Sequence, residues 1–374
     1  MNRCCAAVSE QANPGVSAPS ESSSGRATLS TDYGFAGDGG MRFVIYGAGG
    51  IGGAIGGRLA IAGHDVVLIC RGAHLEAIRE RGLLLRTPEF ERAIDIEAVG
   101  HPAEVRWTGD EHVFLTMKTQ DTEPALRDLE AAAGTGAPVF CAQNGVENER
   151  RAARRFENVY ATLVALPATF LVPGEVIASA VPLSGCLHSG RYPGSVDATA
   201  TAVCDALAAA GFHAAATADV MALKYRKLVL NLGNGVEVIT GQPGWAASGA
   251  LGAFVENARQ EAMAVYAAAG IRSTSPAEYA ERVTAFYKAA PVGGEARSAS
   301  STLQSVLRGQ ATTEVDYLNG EIELLGKLHG VATPYNTVIR RTATRMASSG
   351  EQPGAVTIEE LQAMVDRLRA SPPV

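Results

Sequence analysis

Three features of the chain predict an α/β fold in two parts, a doubly wound sheet domain followed by an all-α domain. The first is an apolar run that ends in a glycine turn and leads through a helical stretch into a second apolar run, "MRFVIYGAGGIGGAIGGRLAIAGHDVVLIC". The second is a series of short apolar and β-branched runs that continues to about residue 190. The third is a change of period beyond residue 218, where apolar residues recur at helical spacing.

In chain order, residues 1–40 come first. They are rich in Ser, Gly and Pro and carry no hydrophobic period. They read as a disordered, dispensable tail, and Met41 opens the ordered pattern. The apolar piece "CCAAV" is too short for the core of a signal peptide. Residues 42–46 form the first strand. Gly47, Gly49 and Gly52 follow as GxGxxG, and Ile51, Ile55, Leu59 and Ala62 continue at helical spacing until Gly63. "DVVLIC" (65–70) is the second strand. In this strand–turn–helix–strand setting the glycines have defined tasks. Gly47 permits a tight turn, Gly49 lets the backbone approach a pyrophosphate, and Gly52 lets helix pack on strand. Gly47, Ala48, Gly49, Gly50, Ile51 and Gly52 are therefore the predicted phosphate-binding loop of a Rossmann-type domain, with the helix N-terminus facing the anion.

The residue after the second strand separates the two nicotinamide dinucleotides. An acid there would grip the ribose 2′-hydroxyl of NAD. Here it is Arg71, whose guanidinium either reaches a 2′-phosphate, which favours NADP, or points to solvent. Strands at 112–117 and 137–142 end at Lys118 and at Gln143–Asn144–Gly145. Ligands of open α/β sheets collect at such carboxyl ends, which makes Lys118 and Asn144 candidates. Residues 159–190 alternate like antiparallel strands around the Pro173–Gly174 turn and read as an antiparallel extension of the sheet. A helix over about 196–210 follows. The predicted boundaries are thus a tail to residue 40, a dinucleotide-binding domain over 41–217 and a helical domain over 218–374.

The helical part opens with "MALKYRKLVLNLGN" (221–234), capped by Asp219 or Thr217. If the stretch is helical, Lys227, Asn231 and Asn234 lie at i, i+4 and i+7 on one face. Lys227 is either a functional cation or one that snorkels at a domain surface. Asn231 and Asn234 serve a ligand or hydrogen-bond within a bundle, and Lys224 and Arg226 are expected at solvent or phosphate. Further helices span 250–270 and 312–330, each stopped by glycine. A last one starts near Thr357, whose spacing to Glu360 fits a capping box.

Taken together, GAGGIG, Arg71, Lys118, QNG (143–145), "RKLVLN" (226–231), "TEVDYLNG" (313–320) and "HGVATPYN" (329–336) resemble the ketopantoate reductase (2-dehydropantoate 2-reductase) family, in order, from Met41 to about residue 345. The resemblance implies NADPH-dependent reduction of a 2-keto acid to a 2-hydroxy acid on the route to pantothenate. It implies Lys227 as the catalytic lysine and general acid, Asn231 as its partner, and Glu314 as the acid facing it across the cleft. It places Lys118 and Asn144 near nicotinamide and substrate, and, through "SSTLQS" (300–305), Ser301 at the substrate carboxylate. Three departures stand out. The family's second asparagine, eight residues after the lysine, is Gly235 here, with Asn234 one earlier. Ser305 replaces an aspartate. The stretch from Ser301 to Glu314 is one residue longer. The first bears on the substrate's distal hydroxyl and leaves open another 2-keto acid. A hydroxyisobutyrate-type dehydrogenase lacks its DGxxSG segment here, and a non-catalytic NADPH sensor has no need of an acid.

Bulk properties agree with an enzyme of small molecules. The 374 residues are 47% hydrophobic and 19% charged, enough for about two domains. The net charge of −7 argues against nucleic acid, and no apolar run reaches the roughly 18 residues of a membrane span. Six cysteines without CxxC spacing read as reduced thiols of a cytoplasmic protein. The seven histidines form no HxxxH pair, so no metal site is expected. A homodimer through the helical part is the assembly its apolar surface suggests.

Overall fold

The structure, a computed structural model, describes residues 40–244, 247–295, 300, 302–303 and 313–370. The predicted tail and Ser301 lie outside the described residues.

The first strand, β1 (Arg42–Tyr46), leads into α1 (Gly50–Ile61), β2 (Asp65–Ile69) and α2 (Gly72–Arg81). Then come β3 (Leu83–Arg86), β4 (Glu91–Ile94), β5 (Glu97–Val99), β6 (Glu111–Leu115), α3 (Thr122–Ala133), β7 (Val139–Cys141), α4 (Asn148–Ala152) and β8 (Val159–Thr162). After these follow β9 (Ala168–Thr169), β10 (Glu175–Ala178), β11 (Ala180–Pro182), β12 (Ser189–Arg191) and α5 (Ala198–Ala209). The main sheet has the order β12-β8-β7-β6-β1-β2-β5, and all its strands are parallel except β12. The antiparallel extension of this sheet is therefore one strand. The segment expected to supply more of it divides: β9 and β10 pair with each other across Pro173–Gly174 and join β3 and β4 in a separate four-stranded sheet.

Helix α1 explains this second sheet. Apart from Arg58 it is apolar, and seven of its twelve residues are buried, so it needs cover on more than one side. A Cβ at Gly56 would sit 2.7 Å from Leu68 of the main sheet, and one at Gly53 would sit 2.6 Å from Val176 of the second. Paired glycines thus let two sheets close on one helix. Ile45, Ile55, Leu85 and Val176 belong to the resulting core. Gly47 has φ +105°, and a Cβ there would meet the Met117 amide at 2.7 Å. At Gly52 a Cβ would meet the Gly47 carbonyl at 2.3 Å. Only glycine fits either position.

The helical half comprises α6 (Val220–Asn231), α7 (Asn234–Thr240), α8 (Gly249–Ala269), α9 (Pro276–Arg282), α10 (Val315–His329), α11 (Pro334–Ser349) and α12 (Ile358–Ala370). Among the described residues it also holds one strand, β13 (Tyr287–Ala289), which pairs with β11. Gly270 and Gly330 end α8 and α10 in the left-handed conformation. The capping box forms: Thr357 N donates to Glu360 at 2.8 Å, and Glu360 N donates to Thr357 Oγ1 at 3.2 Å. Asp219 precedes α6 but makes no side-chain cap. It pairs with Arg272 and Arg282 instead, and Thr217 Oγ1 accepts from the Asp219 amide at 3.2 Å. Val146, from the loop after β7, is buried among Leu228, Leu232, Leu318 and Ile322, so the nucleotide half and the helical half share a core.

Candidate active site

The carboxyl ends of β1, β2, β6 and β7 open onto a cleft of about 990 Å³, closed on its far side by α6, α7 and Glu314. That volume is at the upper end for ligand sites and suits a dinucleotide with a small acid beside it. Gly47, Ala48, Gly49, Gly50, Ile51, Arg71, Lys118, Asn144, Lys227, Asn231, Asn234 and Glu314 all line it. Gly52 does not; its task is the helix–strand contact.

The phosphate end follows from the loop. Gly49 caps α1 with no side-chain hydrogen bond, and the first turn carries no acid. Its free N–H groups and positive dipole end suit an anion. The nearest atom to a Cβ at Gly49 would be Phe170 Cδ1 at 3.9 Å, so a side chain there would occupy space in front of the loop rather than clash. Arg71 caps α2 at the cleft mouth. Its side chain is 87% exposed and lies 3.9 Å from Asp121, a contact too loose to commit the guanidinium. These features fit the phosphates of a dinucleotide.

His74 holds the loop, and the sequence offered no sign of it. Gly174 N–H donates to its Nδ1 at 2.9 Å, so Nδ1 carries no proton, and Nε2–H donates to the Ala48 carbonyl at 2.7 Å. The ring is neutral in this arrangement and packs against Phe170 with centroids 4.4 Å apart. Burial holds this histidine below its ordinary range, with the Ala48 carbonyl opposing. The sign follows from linkage. Above about pH 6.5 both folded and unfolded chains carry neutral His74 and its contribution is complete. As pH falls below that, the unfolded chain binds a proton that the folded one resists, and stability declines toward the folded pKa. His74→Gln should be about 1 kcal/mol less stable than the parent at pH 8. That gap should shrink in urea melts taken toward pH 5.5. A constant gap would show that His74 does not titrate as its contacts require.

At the catalytic end Asn144 is the hub. Its Oδ1 accepts from Lys227 Nζ at 3.1 Å and lies 3.5 Å from Asn231 Nδ2. Helical spacing thus brings both donors of α6 to one oxygen at the end of β7. Helix α6 stops at Asn231, and Asn234 begins α7. The expected single helix is interrupted, yet Lys227, Asn231 and Asn234 all still face the cleft. Gly235 does not: a Cβ there would meet Ile339 at 2.6 Å and Val315 at 3.1 Å, inside the helical core. The second asparagine therefore enters the cleft from position 234.

Glu314, expected opposite Lys227, accepts Lys118 Nζ at 2.6 Å. It is 3% exposed and its other oxygen lies 3.3 Å from Thr119 Oγ1. A buried network continues from there. Asn148 Nδ2 donates to Thr119 Oγ1 at 3.1 Å, Thr122 Oγ1 donates to Asn148 Oδ1 at 2.9 Å, and Gln143 Nε2 donates to Thr122 at 2.8 Å. The Lys118–Glu314 pair is thereby fixed relative to Gln143–Asn144. Lys224, expected at solvent or phosphate, is buried. Its ammonium donates to the Cys141 carbonyl at 3.2 Å, the Gln143 carbonyl at 3.1 Å and the carboxylate of Glu149. It staples α6 to the strand end that carries Asn144.

A doubly wound sheet with an uncapped glycine turn, and a lysine–asparagine helix across its carboxyl edge, define a dinucleotide-binding oxidoreductase. Two family models, described as Ketopantoate reductase PanE/ApbA and Ketopantoate reductase PanE/ApbA C terminal, match residues 43–190 and 219–346. The chain belongs to this ketopantoate reductase family. It is 28% identical over 312 residues to a 2-dehydropantoate 2-reductase of Archaeoglobus fulgidus, covering 80% of this chain and 95% of that one. Among solved structures, a PanE/ApbA family ketopantoate reductase from Ralstonia eutropha JMP134 superposes with TM-score 0.70 at 28% identity, over 83% of this chain and all of that one. A D-mandelate dehydrogenase with NADH and anilino(oxo)acetate superposes with TM-score 0.70 at 25% identity, over 83% of this chain and 99% of that one. Among the described residues, no helix is long and apolar enough to cross a membrane.

Proposed function

We propose that the chain is an NADPH-dependent reductase that converts ketopantoate (2-dehydropantoate) to pantoate, with Lys227 as general acid. The observation that carries this is the convergence of Lys227 and Asn231 on Asn144 at the cleft. In this reading Gly47 to Gly52 form the pyrophosphate turn and Arg71 meets the 2′-phosphate. NADPH, when bound, supplies the hydride. Lys227 is mounted on a packed helix, which holds its ammonium where negative charge develops on the keto oxygen and lets it deliver a proton there. Asn144 orients that ammonium before substrate arrives. Asn231 and Asn234 face the substrate, and Ser301 holds its carboxylate. Lys118, fixed by Glu314, adds a second cation toward nicotinamide and substrate.

The test is NADPH oxidation with ketopantoate, pyruvate and branched 2-keto acids in parallel. Selective turnover of ketopantoate supports the proposal, and turnover of another acid moves the substrate. The likeness to D-mandelate dehydrogenase favours one further reading, NADH-dependent reduction of an aromatic 2-keto acid, so phenylglyoxylate with NADH belongs in the panel. Arg71 separates the cofactors. Losing a charge-assisted phosphate contact costs about 1.5–3 kcal/mol, so Arg71→Ala should raise KM for NADPH by roughly 10- to 100-fold and leave NADH unchanged. Equal effects on both would exclude a 2′-phosphate role.

A further inference from the structure

We infer that Cys186, His188 and His213 form a binding site for a divalent transition metal of the zinc class. Cys186 and His188 are two apart on an extended segment, so their side chains share a face. His213 is the direct partner of Cys186 in a parallel bridge. The Cys186 sulfur and a nitrogen from each imidazole lie within 4.8 Å of one another. A tetrahedral zinc with its usual bond lengths separates such ligands by about 3.5 Å, so side-chain rotation of about an ångström closes the set.

A second observation points to a ligand. His188 is 3% exposed. Its Nε2–H donates to the Arg282 carbonyl at 2.9 Å, which leaves Nδ1 as a bare lone pair, buried and without a hydrogen-bond partner. A buried acceptor left unmatched is costly and calls for an explanation. A metal-bound histidine habitually donates its other ring N–H to a carbonyl, so His188 would ligate through Nδ1 and keep its Nε2–H on Arg282. His213 is held by stacking on Phe286, centroids 3.4 Å apart. One thiolate and two imidazoles suit zinc or cobalt rather than magnesium or calcium. A water completes the set.

Binding converts Cys186 from thiol to thiolate, with one sulfur–metal bond formed and one proton released to solvent. The metal would hold residues 186–188 and 213 together, and His188 would carry that order to Arg282 at the end of α9, just ahead of Thr284 and Tyr287, which line the cleft. Its role is structural and is independent of the reaction proposed above. The expectation of no metal rested on local spacing, and these ligands come from segments that meet only in the folded sheet.

The test uses the full chain, stripped with chelator and titrated with Zn(II) and with Co(II). The site predicts one equivalent of metal by elemental analysis. The Co(II) form should show the thiolate charge-transfer band and the intense visible bands of tetrahedral cobalt. Cys186→Ser should abolish the charge-transfer band, and both it and His213→Asn should lower affinity by roughly 100-fold. A parent protein that takes up no stoichiometric metal overturns the site, as does a Co(II) form without thiolate charge transfer; both readouts stand even if a variant fails to fold.

Discussion

Lys227→Ala should lower kcat by about 10²- to 10⁴-fold while NADPH still binds, because general acid catalysis is worth about that much. The ammonium sits 3.1 Å from Asn144 Oδ1 at the meeting of the two halves, where a keto oxygen could displace or join that contact. The phosphate turn, the Arg71 guanidinium and His74 are on other elements and stay intact, so cofactor titration by fluorescence should match the parent. Steady-state kinetics separate the outcomes. Loss in kcat with nearly unchanged NADPH affinity supports Lys227 as the acid. Turnover within a few-fold of the parent would remove it from that role, and loss of NADPH binding would indicate a collapsed cleft instead.

The second large effect concerns stability. Lys224 and Glu149 form an ion pair with side chains 3% and 0% exposed. Removing one partner of such a pair leaves a buried charge without compensation and costs about 3–5 kcal/mol. Glu149→Ala should therefore lower unfolding free energy by that amount in urea. It should also reduce kcat, since the same ammonium binds the Gln143 carbonyl next to Asn144. The double variant Lys224→Met, Glu149→Leu removes both charges and should recover much of the stability, because the cost lies in the unpaired charge. It should not recover activity, since the staple to the Gln143 carbonyl is gone. A Glu149→Ala protein within about 1 kcal/mol of the parent would mean that water or a neighbour compensates the ammonium and that the pair is not the staple described.

What the sequence by itself determined is local in character. GxGxxG between two strands requires glycine for steric reasons that act within a few residues, and Gly47 and Gly52 meet atoms that admit no Cβ. The lysine–asparagine stripe of α6 follows from 3.6 residues per turn, and the Thr357–Glu360 box from three-residue spacing. Strand-end position pointed to Asn144, and the family resemblance reached further, to Glu314, because motif order carries information that propensity does not. Tertiary structure alone decided which groups meet. Glu314, which lines the cleft with Lys227, pairs with Lys118, 196 residues away. Lys224 looked like one more polar residue on its helix until the end of β7 supplied two carbonyls and a carboxylate. His74 gained its role from the Ala48 carbonyl and the Gly174 amide, on two different loops. Asn234 reaches the cleft because α6 breaks after Asn231, while Gly235 turns into the helical core. Backbone periodicity sets the direction of a side chain within its own element. Its partner is set by how elements from distant parts of the chain bury their apolar faces together, and no single element contains that information.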